Sequence, residues 1–234
     1  MVPDGVRVEL IDLDAASESA PFGDAAGDAA VGDAAGDAAV GDAAGVAAAG
    51  EAAAETLDPG ERARAAALRS ATDRRRYVAA HAWLRRLLGE ATGVIPRDVV
   101  ILRGPCSACG EPHGKPFVAR GPRFSLSRSG GWAALAIGDT GELGIDLEAA
   151  QDHERLAPLR DSLLAPGESS DDLLRTWVRK EALLKASGEG LTRAMTTLRA
   201  DDERVHDLSL PSGLRGAVAL FTDASRPSAR VRRR

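Results

Sequence analysis

Cysteine is almost absent from this 234-residue chain. Cys106 and Cys109 are its only thiols, too few to staple a chain of this length, so a disulfide-framework secreted domain is excluded and a reducing, cytoplasmic setting is expected. Aromatic residues are scarce too, at 3%, and much of the deficit comes from one Ala/Gly-rich tract near the N-terminus. No window approaches the roughly 18 consecutive apolar residues of a membrane-spanning helix. The opening MVPDGVRVELIDLD carries acids where a secretory leader needs a basic patch and an apolar run. A membrane partner is therefore not expected. A large net charge is lacking as well: the formal value is −5, and five aspartates of the Ala/Gly tract (Asp24, Asp28, Asp33, Asp37, Asp42) account for all of it. The remainder is neutral and arginine-rich, so local basic patches matter more than overall sign. The arginine-rich end, residues 230–234, reads as a solvated terminus, and no nucleic-acid partner is expected.

What is present is ordinary globular material, with 44% hydrophobic and 28% charged residues, enough for one large domain or two modest ones. Residues 6–13 alternate imperfectly and read as a first strand. From Gly23 to Gly45 the unit GDAA occurs five times in a nine-residue period. A calcium-binding β-roll would need paired glycines and a large apolar residue in each nonapeptide, and both are missing. Residues 23–56 read as a flexible low-complexity linker, partly helical near 47–55.

Asp58-Pro59-Gly60-Glu61 is a helix start, with an N-cap, proline at the first helical position and an acid in the first turn. A helix is expected from there to about 70, and a second from 72 to 88, with Gly89 as its stop. Strands are expected at 98–102, 124–126, 132–137, 144–148, 205–208 and 216–221, and a strong helix at 171–187. Strands and helices mix without a βαβ rhythm, which gives an α+β fold.

Two segments carry chemistry. In Gly144-Ile145-Asp146-Leu147-Glu148, strand periodicity puts Ile145 and Leu147 on one face and Asp146 and Glu148 on the other, the two acids about 6.6 Å apart. Like charges at that spacing repel unless a cation lies between them, and hard oxygen ligands suit Mg²⁺. A strand with one wet face explains the same pattern. In the helix, Leu174, Trp177 and Val178 form an apolar stripe that runs into Glu181, Leu184 and Lys185. Covered charges need partners or a job, so Glu181 and Lys185 are more than a surface i,i+4 pair.

GIDLE followed some thirty residues later by WVRKEALLKASGEGL resembles the paired signatures of the 4′-phosphopantetheinyl transferases. Gly114-Lys115-Pro116 and Phe124-Ser125-Leu126-Ser127-Arg128-Ser129 are similar to two further elements of that family, and DRRRYVAAHAWLR to its second helix. The resemblance covers residues 58–191. It implies the large, surfactin-synthetase-activating branch, a monomer in which two similar α+β halves form a pseudo-dimer. On that plan residues 1–22 hold the first strand and 23–56 the linker. The rest of the N-terminal half, with coenzyme A-binding elements, is 57–140; the C-terminal half, with metal and catalytic motifs, is 141–225; and 226–234 is a basic tail.

The implied reaction moves 4′-phosphopantetheine from coenzyme A, the co-substrate, to a serine of an acyl or peptidyl carrier protein, in fatty acid, polyketide or nonribosomal peptide synthesis. The resemblance implies that Asp146, Glu148 and Glu181 hold Mg²⁺ or Mn²⁺ against the pyrophosphate. It makes Glu181 the base and Lys185 the stabiliser of the leaving phosphate, with help from Lys180. Lys115, Ser127 and Arg128 match contacts to the coenzyme's 3′-phosphate, and Arg64 and Arg76 a basic site nearby. The chain departs from the family at Arg128, where histidine is usual, and at Ser125, where asparagine is common. A permanently charged guanidinium preserves phosphate binding and removes any role for a neutral imidazole.

Cys106 and Cys109 with His113 offer three zinc ligands and no evident fourth, and the segment reads better as the loop leading into Gly114-Lys115-Pro116. His81 reads as a packed or surface residue, and His153 and His206 lie in no motif. Two other readings stand beside the transferase. One is a different Mg²⁺-dependent phosphoryl-transfer enzyme, although no Walker A loop is present. The other is a non-catalytic carrier-protein or nucleic-acid binding module, against which the intact acidic set and Lys185 argue.

Overall fold

The computed structural model describes residues 2–18 and 52–222. The GDAA tract and the basic tail lie outside the described residues, and residues 52–55 at the end of the expected linker are helical. The chain divides into two compact units, one built from the described residues of 11–98 and the other from those of 1–10 and 99–234. Among the described residues no helix is long and apolar enough to cross a membrane.

The 11–98 unit is helical, with α1 (Leu13–Glu18), α2 (Pro59–Ala67) and α3 (Ala71–Thr92). Helix α2 starts as its sequence dictates: Asp58 accepts from the Glu61 amide at 2.8 Å, and Glu61 accepts from the Asp58 amide at 3.0 Å, a reciprocal capping box. Inside the unit, Arg85 is buried and donates to both Asp58 and Glu61, while His81 stacks on Tyr77 and meets Glu61 at 3.0 Å. Leu57, Ala65, Tyr77 and Ala82 form the apolar core around this network. Two boundaries differ from expectation. Helix α2 stops at Ala67 because Ser70 is taken as the N-cap of α3. Helix α3 passes through Gly89 and ends at Gly93, and the chain returns so closely that a Cβ on Gly89 would lie 2.7 Å from the Val94 carbonyl oxygen. Gly89 is thus a contact glycine rather than a stop.

The other unit holds eight strands, the first of which, β1 (Val6–Asp12), runs on past Leu10 into the helical unit. Strand β1 joins β5 (Trp132–Gly138) and β4 (Arg123–Ser129) in the order β1-β5-β4. Strands β6 (Glu142–Ala149), β8 (Leu214–Phe221) and β7 (Val205–Asp207) make a second antiparallel sheet, in the order β6-β8-β7. Strands β2 (Ile101–Arg103) and β3 (Pro116–Val118) form a separate hairpin. The β4–β5 hairpin turns at Gly130-Gly131, so Ser127, Arg128 and Ser129 belong to the strand and not to the loop expected there.

Short helices α4 (His153–Leu156) and α5 (Arg160–Leu163) lead to α6 (Leu173–Ser187). Asp172 caps α6, accepting from the Arg175 amide at 2.8 Å, and Gly188 closes it. Leu174, Val178 and Leu184 on α6 are almost fully buried against β8 and α4, each contributing about 1.5–3 kcal/mol. The result is an α+β architecture in which α6 lies across the β6 sheet.

Candidate active site

Strand β6 separates its side chains as its alternation requires. Leu143, Ile145 and Leu147 enter an apolar core with Ala134, Ala136 and Val218, which leaves Gly144, Asp146 and Glu148 on the opposite face. Helix α6 lies directly on Gly144: a Cβ built there would be 2.0 Å from the Ala182 carbonyl oxygen and 2.3 Å from the Ala186 nitrogen. Only a residue without a side chain permits that approach, and the approach brings Glu181 and Lys185 over Asp146.

The carboxylates are held by serines. Lys185 Nζ donates to Asp146 Oδ1 at 2.6 Å and to Ser127 Oγ at 3.0 Å, and Ser127 Oγ donates to the same Asp146 oxygen at 2.9 Å. Ser129 Oγ donates to Glu148 Oε2 at 2.8 Å, and Arg155 pairs with Glu148 Oε1 at 2.9 Å. The same hydroxyls accept from the backbone: the Ile145, Leu147 and Ala149 amides point to Ser125, Ser127 and Ser129 at 3.1, 3.2 and 3.1 Å. A ladder of alternate serines on β4 therefore satisfies the free edge of β6 and joins the two sheets. These serine roles are missing from the sequence reading, which gave only Ser127 a function, yet the S-x-S-x-S alternation at strand period is the signal that marks them.

The electrostatics are those of a site short of positive charge. Burial raises the Asp146 pKa, opposed by Lys185, Ser127 and the Leu147 amide. Glu181 is pushed up to about 7, first by burial and then by the charge on Asp146, with Lys185 pulling it down and Glu148 adding to the rise. Asp146 Oδ2 is buried with no hydrogen-bond partner among the described residues. The orphaned Asp146 oxygen and the repulsion that Asp146 and Glu148 exert on Glu181 are what a hard cation such as Mg²⁺ would relieve, and carboxylate oxygens are the donors it takes.

The other residues singled out from sequence fall in several places. Lys115 Nζ donates to Glu142 at 2.9 Å and to the Ala186 carbonyl at 3.1 Å, beside the end of α6. Arg128 is exposed, on the face of β4 opposite Ser127 and Ser129. Lys180 does not join the cluster: its ammonium is fully buried and binds Glu168 and the Leu163 carbonyl, on another side of α6 from Glu181 and Lys185. Arg64 and Arg76 belong to the helical unit, where Arg64 is exposed and Arg76 forms a two-toothed pair with Asp14 at 2.7 and 2.6 Å.

No family model matches the chain. Curated relatives do. The 4′-phosphopantetheinyl transferase HetI of Nostoc sp. is 36% identical over 152 residues, 60% of this chain and 63% of the relative. The 4′-phosphopantetheinyl transferase AcpT of Salmonella typhimurium is 31% identical over 147 residues, 56% of this chain and 67% of the relative. The 4′-phosphopantetheinyl transferase psf-1 of Bacillus pumilus is 28% identical over 164 residues, 64% of this chain and 67% of the relative. The match thus spans just under two thirds of HetI and about two thirds of the others. With the GIDLE strand and the WVRKEALLK helix brought together at the buried Asp146, this chain belongs to the 4′-phosphopantetheinyl transferase family.

Proposed function

We propose that the protein transfers the 4′-phosphopantetheine arm of coenzyme A to a serine of an acyl or peptidyl carrier protein. The observation that carries this reading is the cluster in which Lys185 pairs with Asp146, Asp146 Oδ2 lacks a partner among the described residues, and Glu181 sits near 7. Asp146, Glu148 and Glu181 are the residues that would hold Mg²⁺, or Mn²⁺, and the ion when bound supplies charge neutralisation on the pyrophosphate under attack.

The rest of the chemistry falls to the chain's own groups. The carrier serine oxygen bonds to the phosphorus that carries pantetheine, the phosphoanhydride bond breaks, and 3′,5′-ADP leaves. Glu181 takes the serine proton, directly or through one water; a carboxyl near 7 is matched to that transfer at neutral pH. Lys185 presents its ammonium to the departing phosphate. Lys115, Ser127 and Arg128 contact the coenzyme's phosphates, with Arg64 and Arg76 forming the further basic site. Lys180, ion-paired in the core, acts through the placement of α6 rather than by contact.

On this reading the enzyme is a cytoplasmic monomer of the large branch, with residues 1–22 and 57–140 as one half of a pseudo-dimer and 141–225 as the other. It serves carrier proteins of fatty acid, polyketide or nonribosomal peptide synthesis. The test is mass spectrometry of an apo carrier protein incubated with the enzyme, coenzyme A and Mg²⁺, beside Glu181→Gln and metal-free reactions. The expected result is a gain of one phosphopantetheine that both controls lack. No gain across fatty acid, polyketide and peptide carriers, with no coenzyme A binding by calorimetry, would overturn the reading.

A further inference from the structure

The tip of the β2–β3 hairpin, residues 104–114, has no part in the cluster on α6. Its backbone is closely tied. The Gly104 amide donates to Lys115 at 3.0 Å, Gly114 to Gly104 at 2.9 Å, Cys106 to Glu111 at 2.8 Å and Gly110 back to Cys106 at 2.9 Å. Its side chains bury almost nothing: Pro105 and residues 107–113 are exposed, and Cys106 is half-buried. An exposed segment without an apolar core needs another staple to keep one shape.

Three side chains converge there. Cys106, Cys109 and His113 place their ligand atoms within 4.8 Å of one another, and Cys109 Sγ lies 3.0 Å from His113 Nε2. Gly110, at φ 80°, takes the left-handed turn that carries the chain past Cys109. Both cysteines are free. The sequence offered these three as zinc ligands without an evident fourth and favoured a loop into Lys115; the folded hairpin supplies the convergence that linear spacing could not.

We infer that Cys106, Cys109 and His113 form a binding site for Zn²⁺, with water completing the tetrahedron, and that the ion clips the hairpin tip. Two thiolates and an imidazole are soft and borderline ligands, which select zinc over the Mg²⁺ suited to the carboxylates of β6 and α6. The clip has something to hold. Ser107, between the two cysteines, donates to the Glu189 carbonyl at 3.0 Å and meets Thr192 Oγ1 at 2.9 Å, so the tip rests on the segment that follows α6. The returning strand starts one residue after Lys115. The inference stands on the hairpin alone and does not depend on the transferase reading.

The test uses the full chain, stripped with a chelator and then titrated with Zn²⁺ or Co²⁺. One equivalent of zinc should survive gel filtration, and cobalt should give the strong visible absorption and thiolate charge-transfer band of a tetrahedral site. Cys106→Ser, Cys109→Ser and His113→Ala should each lose the cobalt spectrum, whereas Ser107→Ala keeps it. Zinc should also slow alkylation of both thiols by about tenfold or more, a readout independent of any variant's folding. Retention of less than a tenth of an equivalent, equal uptake by the Cys106→Ser protein, or conversion of the stripped protein to a Cys106–Cys109 disulfide that zinc does not prevent would each overturn the inference.

Discussion

Lys185 Nζ lies 2.6 Å from Asp146 Oδ1, and this ion pair ties the last full turn of α6 to the centre of β6. It is the countercharge for an aspartate whose burial disfavours ionisation. Lys185→Met removes that charge and keeps a long unbranched side chain over β6. The expected outcome is a fall in kcat/KM of about 10²–10³, the size of losing one preorganised electrostatic contact, together with a lower melting temperature, because Asp146 stays buried without its countercharge. The rate of holo-carrier formation and a thermal melt measure both.

Ser127 serves three partners, Asp146, Lys185 and the Leu147 amide, whereas Ser125 is bonded to the Ile145 amide. Ser127→Ala strands a buried amide and takes a donor from an aspartate that already has one orphaned oxygen. Its expected cost is about 1–3 kcal/mol and larger than that of Ser125→Ala, read from urea denaturation of the two variants side by side.

Gly144→Ala places a methyl group where the Ala182 oxygen and Ala186 nitrogen stand. Backbone atoms cannot swing aside like a side-chain tip, so α6 must lift off β6. The expected loss is at least about 1–3 kcal/mol, and transferase activity should fall even well below the melting temperature because Glu181 and Lys185 move with the helix. A melt and an activity assay at low temperature separate the two effects.

The parts of this site that strand and helix periods govern were legible in the sequence. Asp146 and Glu148 share a face of β6 because side chains alternate, and Glu181 with Lys185 share a face of α6 because four residues make about one turn. What was not legible depends on elements far apart in the chain. The serine hydroxyls of β4 become sheet-joining acceptors only because β6 arrives with its edge toward them. Lys180 was given a helping role by the family resemblance, but one residue turns the helix by about 100°, toward Glu168 on a segment no local pattern connects to it. The cysteine loop needed the β2–β3 register to show that its three ligands converge.

Lys180 and Glu168 form an ion pair with both side chains out of solvent, and Glu168 is also held by the Ala165 and Ala200 amides. Lys180→Met leaves that carboxylate buried without its countercharge, at an expected cost of about 3–5 kcal/mol. Activity per folded molecule should be retained. If the lysine contacted substrate instead, kcat would drop while stability held, so denaturation and single-turnover kinetics on the same preparation decide between the roles.

Glu61 sets the acid limit of the helical unit. Burial opposes its charge, yet bonds from His81, the Asp58 amide and Arg85, with the attraction of that guanidinium, hold the carboxyl at about 2 against an ordinary 4.5. A depressed acid favours the folded state once it is ionised in both states. Its contribution, about 3 kcal/mol, is therefore complete above 4.5 and is lost as pH falls from there toward 2. Glu61→Gln lacks this ionisation. The stability gap between wild type and variant should be widest at neutral pH, start to narrow below 4.5, and shrink steadily in urea titrations at successively lower pH. A gap that stays constant across that window would mean that the carboxylate's bonds to Arg85 and His81 do not distinguish folded from unfolded chains.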